Sequence, residues 1–220
     1  MTGGRGALLV NVTVKALLAA SLAYAALAPD LPQFRGKAMT VRILTYPLSA
    51  LIVPVVMGLR RLRRSAPSRA PYPHLLDALL VVPFLVDAGG NAIDLYNSTE
   101  WYDRAAHAFN WAALVIAFGS AVSARSLGRA VVAGLALGFG GTTHILWEII
   151  EYSLMKAGSS GLQLTYDDTM QDLILSFLGS AVGAALTVTV FWKARLLPAH
   201  DQDSVTNRPE ILFDTPGAPG

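Results

Sequence analysis

The chain of 220 residues contains no cysteine and few charged residues. Without cysteine, disulfide bonds, thiolate catalysis and cysteine-ligated iron–sulfur clusters are excluded. Charged residues make up only 15% of the chain, whereas a soluble domain carries about a quarter. Hydrophobic residues make up 53%, and they occur in blocks separated by loops that hold most of the charges. This pattern predicts an integral membrane protein.

Six apolar stretches are long enough to cross the hydrocarbon core of a bilayer, which takes about 20 helical residues. They lie near residues 8–28, 39–59, 74–94, 103–122, 130–155 and 168–192. The sequence therefore predicts an all-α fold, a polytopic membrane helix bundle with six transmembrane helices, over residues 1–197. Residues 198–220 are polar and contain several prolines and glycines, so we expect a disordered cytoplasmic tail there.

The first apolar stretch has two interpretations. Arg5 and Lys15 followed by an apolar run that ends in Ala-Leu-Ala are typical of a cleaved signal peptide. The short distance from Pro29 to the next span favours an uncleaved membrane helix. Both interpretations leave the topology of the later spans unchanged. If the helix is retained, we expect Lys15 to extend toward the cytoplasmic surface.

The basic residues predict the orientation of the bundle. The net charge is +2 and the pI is near 9.0, but the basic residues lie mainly in loops beside the spans, which indicates topology and not nucleic-acid binding. With the N-terminus inside, eleven basic residues fall on the cytoplasmic side. Five fall on the other side, namely Arg35, Lys37, Arg42, Arg104 and Lys156. This bias predicts cytoplasmic termini and a multi-pass protein of the plasma or inner membrane.

The same orientation places most acidic residues of spans three to six in the outer half of the membrane. On each of these spans the polar residues repeat at helical spacing, so they share one face. The four sets are Asp87, Asn91 and Asp94; Asp103 and His107; His144, Glu148 and Glu151; and Asp168, Asp172 and Ser176. Charged side chains at membrane depth almost always face a bundle interior or a wet cavity. We therefore predict one outward-open pocket lined by all four sets.

Histidine and carboxylate side chains on facing helices of a bundle are typical of metal sites. Nitrogen and oxygen ligands without sulfur suit zinc or manganese, and an oxygen-rich set suits magnesium. The predicted divalent-metal ligands are His107, His144, Glu148 and Asp172. The predicted catalytic residues are Glu151, Asp168 and Asp103. Asp103 and Asp168 also have a structural interpretation, because a carboxylate in the first turn of a helix stabilises the helix dipole.

Two pairs of glycines have the small-xxx-small spacing that brings membrane helices together. Gly134 and Gly138 lie on span five, and Gly179 and Gly183 lie on span six. We expect both pairs to mediate close helix packing.

Three segments carry a resemblance to a known family. They read WYDRAAH at 101–107, LWEIIEY at 146–152 and YDDTMQDLILSFLG at 166–179. In these segments and in its six-span layout the chain resembles the YjdF-like family of small bacterial inner-membrane proteins, over about residues 40–190. It is more loosely similar to VanZ-like membrane proteins, in which asparagine is usual at the position of Ser176. The resemblance implies an inner-membrane location and a recurring acidic and histidine pattern, and it supplies no reaction.

These features support three functional hypotheses. The one-sided pocket favours a metal-dependent enzyme that acts on a lipid or envelope substrate from outside. The same acids also fit a proton- or cation-coupled transporter, although the inner halves of spans four to six are nearly free of charge. The third hypothesis is a structural or regulatory membrane protein whose pocket binds a partner helix or lipid.

Overall fold

The structure is a computed structural model that describes residues 4–63, 71–125, 127–162 and 164–192. The predicted tail at 198–220 lies outside these residues. All regular secondary structure among the described residues is helical. The helices are α1 at Arg5–Leu27, α2 at Met39–Leu62, α3 at His74–Ala92, α4 at Leu95–Ser98, α5 at Tyr102–Ser123, α6 at Arg129–Lys156 and α7 at Tyr166–Leu186. A π-helical turn, Thr187–Phe191, continues α7. Six helices are long and apolar enough to cross a membrane, which confirms the predicted helix bundle with six spans.

The helices α3 and α5 form the centre of the bundle. Half of the apolar window of each is buried, against 22% for α1 and α6. The α5 helix packs against α3, α6 and α7, whereas α1 and α2 pack against α3 and against each other. The outer faces of α1, α2, α6 and α7 expose large aliphatic side chains, such as Leu44 at 70% and Val182 at 55%. Such faces fit a lipid surrounding.

The two glycine pairs differ in what they contact. A methyl group on Gly179 would overlap the carbonyl of Ala108, and one on Gly183 would lie 2.7 Å from the carbonyl oxygen of Ala112. These two glycines therefore bring α7 against α5, as the sequence predicts.

The prediction for Gly134 and Gly138 is wrong, because within the described part of the chain a methyl group on either would meet nothing within 4 Å. The glycine of α6 that makes close contacts is Gly140, where an added methyl group would overlap Ser180 of α7. The spacing rule identifies small residues but not the side of the helix that meets a neighbour.

We predict that Gly179→Ala and Gly183→Ala each destabilise the bundle by about 1–3 kcal/mol, because the added methyl group overpacks the α5–α7 contact. Gly134→Ala and Gly138→Ala are the matched controls on a face without neighbours. They should leave stability unchanged or slightly raise it, since alanine favours the helix. Thermal unfolding of the four purified variants in one detergent measures the difference. Equal loss of stability in both pairs would contradict the packing described.

Lys15 is paired with an acidic residue of a neighbouring helix, and its side chain is 27% exposed. Its Nζ lies 2.6 Å from Oδ2 of Asp77, which is fully buried in α3. The same oxygen accepts hydrogen bonds from Asn11 at 2.9 Å and from Tyr72 at 2.7 Å. A carboxylate buried in an apolar setting is stable only with a partner charge, and Lys15 supplies that charge to Asp77. The α1 helix is thus an integral part of the bundle, held to α3 by an ion pair.

We predict that Lys15→Met costs about 3 kcal/mol of stability, because it leaves the buried Asp77 carboxylate without its cation. The double variant Lys15→Met/Asp77→Leu should recover most of that loss, since it removes both charges together. Chemical denaturation in mixed micelles would measure both variants. A double variant no more stable than the single one would show that the ion pair is not what joins α1 to α3.

Candidate functional site

A cavity of about 490 Å³ lies between α2, α3, α5, α6 and α7, close to their ends at the α1–α2 and α6–α7 loops. This volume is within the usual range for small-molecule sites, roughly 300–1,000 Å³. Seven of the eleven residues predicted from the sequence line it, namely Asp87, Asn91, Asp103, His107, Glu151, Asp168 and Asp172. The predicted pocket therefore exists, and each of the four predicted helices contributes to it.

His107 is the centre of the polar residues. Its Nε2 lies 3.7 Å from Oδ1 of Asp103 and 3.8 Å from Oδ1 of Asp172. Two groups have ligand atoms within 4.8 Å of one another, and His107 belongs to both. One group is Asp103, His107 and Asp172, and the other is His107, Glu148 and Glu151. Three helices thus bring four carboxylates near one imidazole, in two groups that have His107 in common.

Ser176 does not line the cavity but supports its central histidine. Its hydroxyl oxygen lies 3.0 Å from Nδ1 of His107, and the serine is fully buried. A hydrogen bond at Nδ1 fixes the orientation of the ring and leaves Nε2 for the carboxylates. Ser176 therefore positions His107.

Glu148 does not itself line the cavity, and its side chain is buried, only 7% exposed. In the described part of the chain, neither of its carboxylate oxygens has a hydrogen-bond partner. An ionised carboxylate buried without a partner is costly by several kcal/mol, so a proton or a bound cation must neutralise it. The nearby His107 nitrogen and Glu151 oxygen are suitable co-ligands. Glu148 is thus a buried acid whose charge nothing in the described structure compensates.

His144 is not brought together with the other three predicted ligands. It shares a face of α6 with Glu148, but its ring lies edge-on to Trp111, with the ring centroids 6.0 Å apart. Its ring belongs to neither ligand group of the described residues. It lies instead beside a shallow apolar groove that includes Leu173 and Phe177. The helical spacing found the correct helix, but the ring turns toward α5.

Asp94 is also outside the cavity lining. It adopts a left-handed backbone conformation, with φ of 62°, where α3 ends and the short helix α4 begins. Its Oδ1 accepts a hydrogen bond from Nδ2 of Asn97 at 2.6 Å. Asp94 is accordingly part of the turn and not of the site.

Arg42 is the main residue of the cavity that the sequence interpretation missed. The sequence places it at the start of span two and counts it only among the basic residues of the outer side. In the structure it lies in the first turn of α2 and is only 7% exposed. Its Nε donates to Oδ2 of Asp87 at 2.7 Å, and its Nη2 lies 3.9 Å from Oε1 of Glu151. The sequence did contain a signal for this residue, because Arg42 and Tyr46 are two polar residues one helical turn apart in an apolar span. In the structure both contact Asp87.

Both oxygens of the Asp87 carboxylate have partners, which come from two helices, α2 and α4. Besides Arg42, the hydroxyl of Tyr46 donates to Oδ2, and that of Tyr96 donates to Oδ1 at 3.0 Å. Burial, together with the negative charge of Asp87, raises the pKa of Tyr96, so its phenol stays a donor at neutral pH. Asp87 is therefore neutralised within the protein and is not a free ligand.

Lys37 lies at the end of the same cavity that is nearest the α1–α2 loop. Its Nζ donates to Oδ1 of Asn97 at 3.0 Å and lies 5.3 Å from the centroid of the Tyr96 ring. Burial lowers the pKa of Lys37 from its ordinary value. The backbone N–H of Gly161 donates to the carbonyl of Gly36 at 3.1 Å, and this bond joins the α1–α2 loop to the α6–α7 loop beside the lysine. These two loops cover part of this end of the cavity.

We predict that Arg42→Gln destabilises the protein by about 3–5 kcal/mol, because it leaves the Asp87 carboxylate buried without its cation. Arg35→Gln is the matched control, since Arg35 is exposed and its Nε donates only to the carbonyl of Asp30. That control should change stability by less than about 0.5 kcal/mol. Thermal unfolding in detergent checks both. Similar behaviour of the two variants would refute the role given to the Arg42–Asp87 pair.

Comparison with known proteins places the chain in a family. The profile described as "Predicted membrane protein (DUF2238)" matches residues 10–193. The chain belongs to this family of predicted membrane proteins. The match extends from within α1 to beyond the end of α7 and therefore includes every helix that contributes to the cavity. No curated protein and no solved structure matches the chain. Membrane residence is thus supported both by the family and by the six helices.

Proposed function

We propose that this protein is a divalent-metal-dependent enzyme that acts on a lipid or envelope substrate from the outer side of the membrane. The observation that carries the proposal is the buried Glu148 carboxylate, which has no partner among the described residues and lies beside His107 and Glu151. A divalent cation at this position would neutralise Glu148 and, through His107, connect it to Asp103 and Asp172. Ion pairs within the protein serve the same purpose for Asp77 and Asp87, whereas Glu148 has no ion pair with any residue that the structure describes.

The donor set narrows the choice of metal. One imidazole nitrogen and four carboxylates form an oxygen-rich, hard set, which favours manganese or magnesium over zinc. The predicted ligands His107, Glu148 and Asp172 are retained in this proposal, whereas Asp103 and Glu151 replace His144.

The chemistry proposed is hydrolysis of an ester in a lipid headgroup. A divalent cation held by His107 and Glu148 would supply a water of lowered pKa and would polarise the ester. The carboxylate of Asp168, which is outside the proposed ligand set, accepts the proton of the attacking water. That proton then passes to the alcohol oxygen as the ester bond breaks. Asp168 lines the cavity and is therefore placed near any substrate in it.

Placement in the plasma or inner membrane, with the cavity facing outward, is part of the proposal. It is supported by the distribution of basic residues and by the resemblance to YjdF-like proteins, which fits the family of predicted membrane proteins to which the chain belongs.

A transporter is the second candidate, and one observation counts against it. The cavity ends on α3 at Pro83 and Phe84, whereas Asp77, with its partner Lys15, lies farther along the same helix. Val81 lies between them and is fully buried. On α3, a buried apolar segment therefore separates the cavity from Asp77 and Lys15. A structural or regulatory role would be indicated if a Glu148→Ala/Asp172→Ala double variant retained full function in cells.

We predict that purified protein binds about one divalent cation per chain and that Glu148→Gln reduces the affinity roughly ten- to hundredfold, as loss of a metal-ligating carboxylate should. Asp167→Asn is the matched control, because Asp167 is an exposed acid at the start of α7 outside the site. Elemental analysis, with manganese titration followed by electron paramagnetic resonance, gives both numbers. Absence of bound metal in the wild type, or equal affinity in both variants, would overturn the proposal.

A further inference from the structure

The cavity has an apolar wall as well as a charged end. The apolar lining comes from α3, α5 and α6, namely Pro83, Phe84, Trp111, Leu114, Phe139, Leu146, Trp147 and Ile150. The charged lining lies near the ends of the helices at the α1–α2 and α6–α7 loops. A small polar metabolite would leave this wall unused. A molecule with a charged head and a long apolar chain would contact both parts.

The geometry also points to a route for such a molecule. The helices α2 and α6 both line the cavity, but their backbones do not pack along each other. Side chains bridge the gap between them. Arg42 approaches Glu151 to 3.9 Å, and Trp147 packs against the apolar cluster that contains Tyr46. Ile150 lines the cavity and is still 50% exposed. At the outer end, the bond between Gly161 and Gly36 joins two loops over the cavity.

The charged residues of the cavity lining restrict the kind of head group that the cavity can bind. Six carboxylates line the cavity, namely Asp87, Glu100, Asp103, Glu151, Asp168 and Asp172, against the two cations Lys37 and Arg42. Arg42 is already paired with Asp87. Without metal, this surface would repel an anion. A divalent cation reverses the local sign and prefers hard anionic oxygens such as those of phosphate. Lys37 at the outer end adds a second positive contact.

We propose that the cavity binds a long-chain amphiphile with a phosphate head group, which enters from the bilayer between α2 and α6. The head group binds the metal and Lys37, and the chain lies along Trp111, Trp147 and Ile150. This inference rests on the proposed metal-dependent function and names its substrate class. It makes phosphate binding conditional on the divalent cation, which separates it from general attraction of detergents to an apolar groove.

A brominated alkyl phosphate tests the site, because bromine quenches tryptophan fluorescence on contact. The probe is 12-bromododecyl phosphate, titrated into purified full-length protein in a neutral detergent. We expect saturable quenching with Mg²⁺ and at least about tenfold weaker binding after chelation, since a contact to a charged group is worth about that factor. Trp147→Phe should lose much of the quenching. Trp101→Phe is the control, because Trp101 is 64% exposed and outside the cavity lining.

A second pair of variants tests the route. Ile150→Phe narrows the gap between α2 and α6 and should slow quenching. Ile149 lies beside Ile150 on the exposed face and outside the cavity lining. In the Ile149→Phe variant, the probe should quench fluorescence at the wild-type rate. Equal rates in the two variants would overturn the lateral route.

Two further outcomes would overturn the substrate class. One is quenching that does not depend on Mg²⁺, and the other is tighter binding of 12-bromododecyl trimethylammonium than of the phosphate. If metal binds as described above but the phosphate probe does not, this inference fails while the metal-dependent function stands. If no metal binds, both fail.

Discussion

The cost of burying charge in an apolar surrounding governs this structure. Asp77 and Asp87 both lie on α3, and each is paired with a cation from another helix. Lys15 links Asp77 to α1, and Arg42 links Asp87 to α2. Removing one member of such a pair costs much more than the pair contributes, because the remaining charge stays buried. The two ion pairs thus hold the first two helices to the central α3 helix, and the Arg42–Asp87 pair also lines the cavity.

The helices α5, α6 and α7 on the other side of the cavity are held together by close packing at glycines. Gly179, Gly183 and Gly140 let α5, α6 and α7 approach closely, and this packing directs His107 and Glu148 toward one another. Within the described structure no lysine or arginine pairs with Glu148. The buried carboxylates therefore fall into two groups, those that stabilise the fold and those proposed to bind metal. Acids that hold helices together have cations built in, and the acid proposed to bind metal does not.

The sequence predicted the spans and the pocket but not the partners inside it. Length and hydropathy located the six helices, because each must supply an apolar segment that matches the bilayer. Helical spacing identified the polar faces, so seven of the eleven site residues line one cavity. The errors have a common cause: spacing along one helix carries no information about rotation against its neighbours. That rotation decides whether Gly134 meets a helix, where the His144 ring points and which carboxylate Arg42 reaches.

The central claim is that His107 and Glu148 share a divalent cation, and manganese makes the claim directly visible. An anomalous difference map of protein crystallised with Mn²⁺ should show one strong peak about 2.0–2.3 Å from Nε2 of His107 and from a carboxylate oxygen of Glu148. Asp103, Glu151 or Asp172 should complete the coordination. A map with no peak in the cavity, or with a peak that contacts neither His107 nor Glu148, would contradict the account.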